Sequence, residues 1–260
     1  MTKLALIDYG AGNLHSVHNA LKAAGAGDIR VTADPDIVAK AERIVLPGVG
    51  AFAHCMEALS AIDGMTAAME QRVRVEAAPF LGICVGMQLL ADQGVEHGST
   101  SGLGWIAGTV RAIAPAADLK IPHMGWNDVR PHEGAALIER GEAYFLHGYH
   151  FDVADTADVL ATTDHGGALV AAVGRDNVMG VQFHPEKSGP TGLALLKNFI
   201  QKGRKPVTPE IRPEKTTLAK RIIACLDVRA NDQGDLVVTK GDQYDVREAG
   251  AVRNLGKPVE

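Results

Sequence analysis

At 260 residues, 46% of them hydrophobic and 22% charged, the chain can bury a full core as one large domain or one and a fraction. Its net charge of −5 leaves no electrostatic footprint for nucleic acid, no apolar run reaches membrane-spanning length, and Met1-Thr2-Lys3-Leu4 opens no signal peptide. Three widely spaced cysteines, Cys55, Cys84 and Cys225, form neither a disulfide framework nor a zinc site, and a reducing cytoplasm fits them.

Lys3 to Asp8 reads as a first strand, followed by Tyr9-Gly10-Ala11-Gly12-Asn13. The Gly-x-Gly invites a dinucleotide-binding reading, but His15 stands where the third glycine belongs and no acidic residue ends a second strand at the required distance. Asn13 reads instead as the N-cap of a helix through Ala24, with Leu14, Val17, Leu21 and Ala24 on one face and Gly25 as its stop. His15 and His18 fall on the polar face. Ile29 to Thr32 and Arg43 to Leu46 are further short strands, and strand–helix alternation at this spacing predicts a mostly parallel sheet with helices on both faces.

Pro47-Gly48-Val49-Gly50 then forms a tight loop at a strand's C-terminal end, where ligands of open α/β sheets bind. A helix from Ala51 follows, with Cys55 on its apolar face. Pro79 to Leu90 is the stretch that organises the chain. A buried-strand run passes through Gly82-Ile83-Cys84-Val85-Gly86 into helical residues, a G-x-C-x-G form of the nucleophile elbow. A strand turning at once into a helix crowds its own backbone, and the two glycines relieve that crowding. A lone cysteine after a strand is usually structural, but this setting reverses the reading. Cys84 stands at a helix N-terminus, whose N–H groups favour a negatively charged sulfur, and the Val85 N–H is placed to meet an oxyanion.

From Gly102 the pattern changes. Trp105 to Ile113, Ile121 to Val129, Tyr144 to Val153 and Val159 to Thr163 are strand-like and glycine-punctuated, which predicts an antiparallel section added to the parallel sheet. Ala168 to Gly174 and Val178 to Phe183 read as a hairpin whose second strand runs into His184-Pro185-Glu186. Two apart on an extended strand, His184 and Glu186 project to one side, as a base and its orienting carboxylate would. Gly189 to Lys202 closes as an amphipathic helix with Leu193, Leu196 and Phe199 inward. The order Cys, His, Glu disfavours an α/β-hydrolase, whose acid precedes its histidine.

Gly82-Ile83-Cys84-Val85-Gly86-Met87-Gln88 with the distant His184-Pro185-Glu186 resembles the class I (triad) glutamine amidotransferases. Within that class four motifs resemble the family of glutaminase components of imidazole glycerol phosphate synthases. They are Asp8-Tyr9-Gly10-Ala11-Gly12-Asn13-Leu14, Pro47-Gly48-Val49-Gly50-Ala51-Phe52, Pro122-His123-Met124-Gly125-Trp126-Asn127 and His184-Pro185-Glu186-Lys187-Ser188. The resemblance implies that Cys84 attacks the side-chain amide of L-glutamine, with His184 as acid–base and Glu186 orienting it. It implies an oxyanion site at the N–H groups of Val85 and, after a peptide rearrangement, Val49. Gly50, Gln88, Glu96, Gly148 and Tyr149 would hold the amino-acid end of glutamine. At position 148 the family commonly carries a small hydroxyl residue, so glycine there is a departure. Asn13, Met124, Trp126, Tyr144 and Lys187 would lie at the contact through which ammonia passes to a cyclase barrel. Neither cofactor nor metal is implied.

The resemblance divides the chain into a glutamine amidotransferase domain at 1–203, a linker at 204–217 rich in Pro, Lys and Glu, and a fragment at 218–260. Lys220 to Val228 resembles the first strand of the cyclase (β/α)8 barrel, as in the fused synthases. Asp227 would then be an acid/base residue of the cyclase and Lys240 a phosphate-side contact. The fragment stops short of a barrel, so cyclase activity is not expected of this chain alone, and Arg221 to Val228 is expected to lack a strand to pair with. Three rival readings are another triad amidotransferase, a non-catalytic partner-binding module that kept the fold, and a free-standing γ-glutamyl cysteine hydrolase.

Overall fold

The computed structural model describes residues 3–114 and 119–201, and the backbone of residues 227–230 and 236–239. Chain contacts divide it into two compact units, Met1–Pro206 and Val207–Glu260.

In the first unit the strand–helix alternation opens with β1 (Lys3–Ile7), α1 (Leu14–Ala23), β2 (Asp28–Thr32), α2 (Pro35–Val38), β3 (Arg43–Gly48), α3 (Phe52–Ser60) and α4 (Met65–Met69). A π-helical turn, Glu70–Val75, leads to β4 (Phe80–Cys84) and the single-turn α5 (Val85–Gln88). The strand-rich section holds β5 (Gln93–Gly94), β6 (Thr100–Ser101), β7 (Gly108–Ala112), β8 (His123–Pro131), β9 (Gly141–His147), β10 (Tyr149–Val153), β11 (Val159–Asp164), β12 (Ala168–Arg175) and β13 (Val178–Val181). Helix α6 (Gly189–Gln201) closes the unit.

The main sheet runs β2-β1-β3-β4-β13-β12-β11-β8-β9 among the described residues. Its first five strands pair in parallel. From β13 outward the pairing is antiparallel. Strands β3, β4 and β13 are buried almost throughout, as continuous apolar runs in a sheet covered on both faces should be. A smaller sheet, β10-β7-β5-β6, carries the rest of the strand-rich section. Among the described residues no helix is long and apolar enough to cross a membrane.

Several boundaries differ from those the sequence suggests, each for a local reason. The run Tyr144 to Val153 is two strands, because the chain breaks at Gly148 and sends β9 into the main sheet and β10 into the smaller one. Trp105 and Ile106 precede β7: both donate backbone N–H groups to the Leu90 carbonyl, and the Trp105 indole stands edge-on to Phe80 at 5.0 Å. Asn13 occupies the N-cap position of α1 without a side-chain bond to it, while Gly25, at φ +98°, ends the turn as expected. In α6 Leu193 is half-buried and the inward face is Leu195, Leu196, Phe199 and Ile200.

In the second unit β14 (Asp227–Ala230) and β15 (Leu236–Thr239) form an antiparallel pair, with Asp227 opposite Thr239 and Val228 opposite Val238. The expectation that Arg221 to Val228 lacks a strand to pair with therefore fails at Asp227 and Val228. The linker at 204–217, the run 221–226 and Lys240 lie outside the described residues.

Candidate active site

Cys84 ends β4 and adopts φ +54°, ψ −111°, a region seldom taken by a residue with a side chain. The glycines beside it are demanded by close approach. A Cβ on Gly82 would lie 2.4 Å from the Gly86 carbonyl oxygen, and one on Gly86 would lie 1.9 Å from that of Leu46. The turn is thus clamped on itself and on β3. The helix that follows has a single turn, shorter than the sequence suggests, so its dipole adds little and the local N–H groups carry the electrostatics.

The histidine arrives from the neighbouring strand. β13 pairs with β4 in parallel, with Gly180 opposite Gly82 and Val181 opposite Ile83, so residues just past both C-termini meet. Pro185–Lys187 forms a 3-10 turn rather than a continuing strand. That turn brings His184 Nδ1 to 2.9 Å from Glu186 Oε1, with both side chains buried. The loop is tied to β9: the His184 N–H donates to the Tyr144 carbonyl, the Ser188 hydroxyl donates to the His184 carbonyl, and the Tyr144 N–H donates to the Ser188 hydroxyl. Burial pushes the His184 imidazole down, but its hydrogen bonds to Cys84 and Glu186 outweigh that and raise its pKa from 6.5 to about 9. The imidazolium is therefore the resting form at neutral pH.

Cys84 lines a cavity of about 150 Å³ together with Val49, Gly50, Val85, Gln88, Glu96, Leu146, His147, Gly148 and Tyr149. The structure thus gathers both expected oxyanion residues and all five expected glutamine contacts around Cys84. Glu96 is held by the Phe52 N–H, which donates to Oε2 at 2.8 Å from the first turn of α3. A Cβ on Gly148 would meet nothing nearer than 3.9 Å, so the missing hydroxyl leaves space rather than strain. Beneath the Pro47-Gly48-Val49-Gly50 loop, the Tyr9 hydroxyl donates to the Pro47 carbonyl at 2.7 Å and Cys55 Sγ donates to that of Val49 at 3.4 Å.

Met124 and Trp126 stand out from β8, 53% and 49% exposed. Trp126 meets Tyr144 edge-on at 6.1 Å, and Lys187 Nζ lies 5.6 Å from the centre of the Tyr144 ring. Asn13 is half-buried at the head of α1. The side chain of Asp227 and the whole of Lys240 are outside the described residues.

Sequence reasoning missed two neighbours of Cys84. The Leu146 carbonyl accepts from Cys84 Sγ at 4.0 Å. Gln182 is fully buried and donates from Nε2 to Cys84 Sγ at 3.7 Å, while its Oε1 accepts from Gln88 Nε2 at 3.0 Å. The signal was present: a glutamine inside the apolar run Val178 to Phe183, two residues before His184 and so on the same side of an extended chain.

The profile of the class I glutamine amidotransferases matches residues 5–202. The chain is 58% identical over 201 residues to imidazole glycerol phosphate synthase subunit HisH of Zymomonas mobilis, covering 76% of this chain and 94% of that protein. The HisH subunit of Rhodospirillum rubrum is 54% identical, with 76% and 98% covered. The chloroplastic imidazole glycerol phosphate synthase hisHF of Arabidopsis thaliana is 42% identical over 265 residues. That match takes in 99% of this chain but only 44% of the plant protein. Among solved structures, a crystal structure of a glutamine amidotransferase matches with a TM-score of 0.61 at 20% identity, over 76% of this chain and 97% of the other. The structure of PurLQS from Thermotoga maritima matches with a TM-score of 0.59 at 19% identity, over 78% and 100%, and both likenesses speak to the fold. With the profile spanning residues 5–202 and relatives more than half identical across nearly their whole length, the chain belongs to the class I glutamine amidotransferases.

Proposed function

We propose that this chain is the glutaminase component of an imidazole glycerol phosphate synthase. It hydrolyses L-glutamine at Cys84 and passes the ammonia to a cyclase (β/α)8 barrel in histidine biosynthesis. The observation that carries the reading is a strained, cavity-lining Cys84 that interacts with a buried His184, itself 2.9 Å from Glu186. The names of the HisH relatives supply the pathway.

Glutamine enters with its amino-acid end toward Gly50, Gln88, Glu96, Gly148 and Tyr149, where the Glu96 carboxylate pairs with the α-ammonium. With the Cys84 thiol proton already held by His184, the bare Sγ attacks the side-chain amide carbon. The carbonyl oxygen becomes an oxyanion held by the Val85 N–H and, once the loop peptide turns, that of Val49. The His184 imidazolium gives its proton to the amide nitrogen, the C–N bond breaks, and ammonia leaves a thioester behind. His184 then takes a proton from water, whose oxygen attacks the thioester. The C–S bond breaks and glutamate departs. Glutamine and water have become glutamate and ammonia. Met124 and Trp126, with Asn13, Tyr144 and Lys187, form the face that seals ammonia from bulk water on its way to the cyclase. The same reading assigns 1–203 to the glutaminase, 204–217 to a linker and 218–260 to the start of a cyclase barrel, in a cytoplasmic enzyme.

The test is glutamine hydrolysis by the chain with and without an added cyclase domain and its nucleotide ligand. Basal activity is expected to be low and to rise about 10²–10³-fold when the second oxyanion donor is recruited. Cys84→Ser is expected to lose hydrolysis by several orders of magnitude while ammonium-driven cyclase turnover is unchanged. High basal activity with no response to the cyclase would favour a free-standing hydrolase, and near-normal activity in Cys84→Ser would remove that residue from the mechanism.

A further inference from the structure

A continuous line of hydrogen bonds runs from the docking strand β8 to the nucleophile. Asn127 on β8 accepts from the Asp128 N–H at Oδ1, which turns its amide NH2 inward. One Nδ2 proton goes to the Asp164 carbonyl at 2.8 Å and the other to His123 Nε2 at 3.0 Å. His123 Nε2 is thereby the acceptor, so its Nδ1 carries the proton and donates to His147 Nε2 at 3.0 Å. His147 then donates from Nδ1 to the Tyr149 carbonyl at 2.8 Å. The same carbonyl accepts from Gln88 Nε2 at 3.0 Å, the second Gln88 proton goes to Gln182 Oε1, and Gln182 Nε2 reaches Cys84 Sγ.

A single arrangement of protons satisfies every link. His123 and His147 face each other directly across β8 and β9. The His123 ring is further fixed by stacking on Phe145 at 4.7 Å and on His165 at 4.2 Å. Burial, with His165 beside it, holds the His123 pKa down to about 4, and burial holds that of His147 down to about 3. Both rings are thus neutral at working pH, as their bare Nε2 atoms require. Alternate residues of β8 point opposite ways: His123 faces inward while Met124 and Trp126 face outward.

We infer that the chain Asn127–His123–His147–Tyr149–Gln88–Gln182 is a positioning relay that fixes Cys84 Sγ and the Gln88 wall of the cavity from the docking strand. The inference deepens the proposed glutaminase reading and rests on it for the identity of the substrate. Gln182 acts on the nucleophile directly, and His123, which does not line the cavity, acts only through the others.

The test reads Cys84 itself, so it does not depend on which substrate the enzyme takes. The rate of Cys84 alkylation by iodoacetamide is measured against pH in the full chain, with kcat and KM for glutamine recorded alongside and the melting temperature as a check of folding. Gln182→Met and His123→Phe are each expected to shift the pH midpoint of alkylation in the same direction and to lower kcat/KM by about ten-fold, the scale of one lost hydrogen bond. The double variant should lose little more than the worse single one, because both cut the same line. If His123→Phe does not fold, Asn127→Ala, at the outer end of the line, decides on the same readout. A folded His123→Phe or Asn127→Ala with a wild-type alkylation profile, or single losses that multiply in the double variant, would overturn the relay. Alkylation shifts that obey the relay, with no glutamine hydrolysis even when a cyclase domain and its nucleotide ligand are added, would leave the relay standing and sink the glutaminase reading.

Discussion

Replacing Glu186 by glutamine is the sharpest probe of the proposed triad, because the change is nearly isosteric. Oε1 accepts from His184 Nδ1, while Oε2 is buried without a hydrogen-bond partner among the described residues. An amide fits the same space but removes the charge, and it can turn its NH2 toward Nδ1 and impose the wrong tautomer. The rise of the His184 pKa from 6.5 to about 9 corresponds to about 3 kcal/mol in favour of the imidazolium. Cys84 and Glu186 share that stabilisation against the opposing effect of burial. Losing half to all of it lowers kcat by between about ten- and a hundred-fold, with KM little changed because Glu186 does not line the cavity. Stability follows with a definite sign. A histidine whose folded pKa is raised stabilises the fold fully below 6.5 and loses that contribution as pH rises through about 9. Steady-state glutamine hydrolysis and melting curves from pH 6 to 10 check both halves. A kcat within two-fold of the parent, or an unflattened alkaline loss of stability in Glu186→Gln, would refute the account.

On the acid side, His123 and His147, held neutral to about 4 and about 3, must take up protons on unfolding below 6.5. Stability should therefore fall by several kcal/mol between pH 6.5 and 4, and melting curves of His147→Gln should show a shallower fall. Gly86→Ala would drive a Cβ into the Leu46 carbonyl at 1.9 Å. The chain must yield by about 3 kcal/mol, a drop of roughly 10 °C in Tm, and calorimetry showing no drop would refute the clamp. Asn177 donates to the carbonyls of Val73 at 2.8 Å and Ala78 at 2.7 Å, while Phe80 donates to its own carbonyl. Asn177→Ala leaves two carbonyls without that donor and should cost about 1–3 kcal/mol in urea unfolding.

Much of this architecture is legible from local pattern. The apolar runs at Lys3, Arg43 and Phe80 and the helices between them need only periodicity, and Gly82 and Gly86 announce the sharp turn that crowds Cys84. His184 and Glu186 are legible as a pair, although the contact is made by a 3-10 turn rather than a strand. What is not legible depends on pairing across strands. Nothing within either strand says that His123 lies opposite His147, and a run as even as Tyr144 to Val153 does not reveal that Gly148 parts it between two sheets. The Asp158–Arg175 ion pair, made by two oxygens to two nitrogens between the 3-10 turn after β10 and the end of β12, is likewise a product of the finished packing.

The pairing of β4 with β13 also governs when the site comes into being. Cys84 and Gln182 are separated by 98 positions along the chain, yet β4, which Cys84 ends, and β13, which Gln182 follows directly, are immediate neighbours. The whole strand-rich section lies between them in order of synthesis. On a ribosome the thiol emerges long before its acid–base partner, and closing so long a loop comes late in folding. Through that interval Cys84 has neither His184 nor Gln182 beside it. On the proposed mechanism the nucleophile is therefore armed only when the last parallel strand docks, and a half-made chain carries an ordinary cysteine.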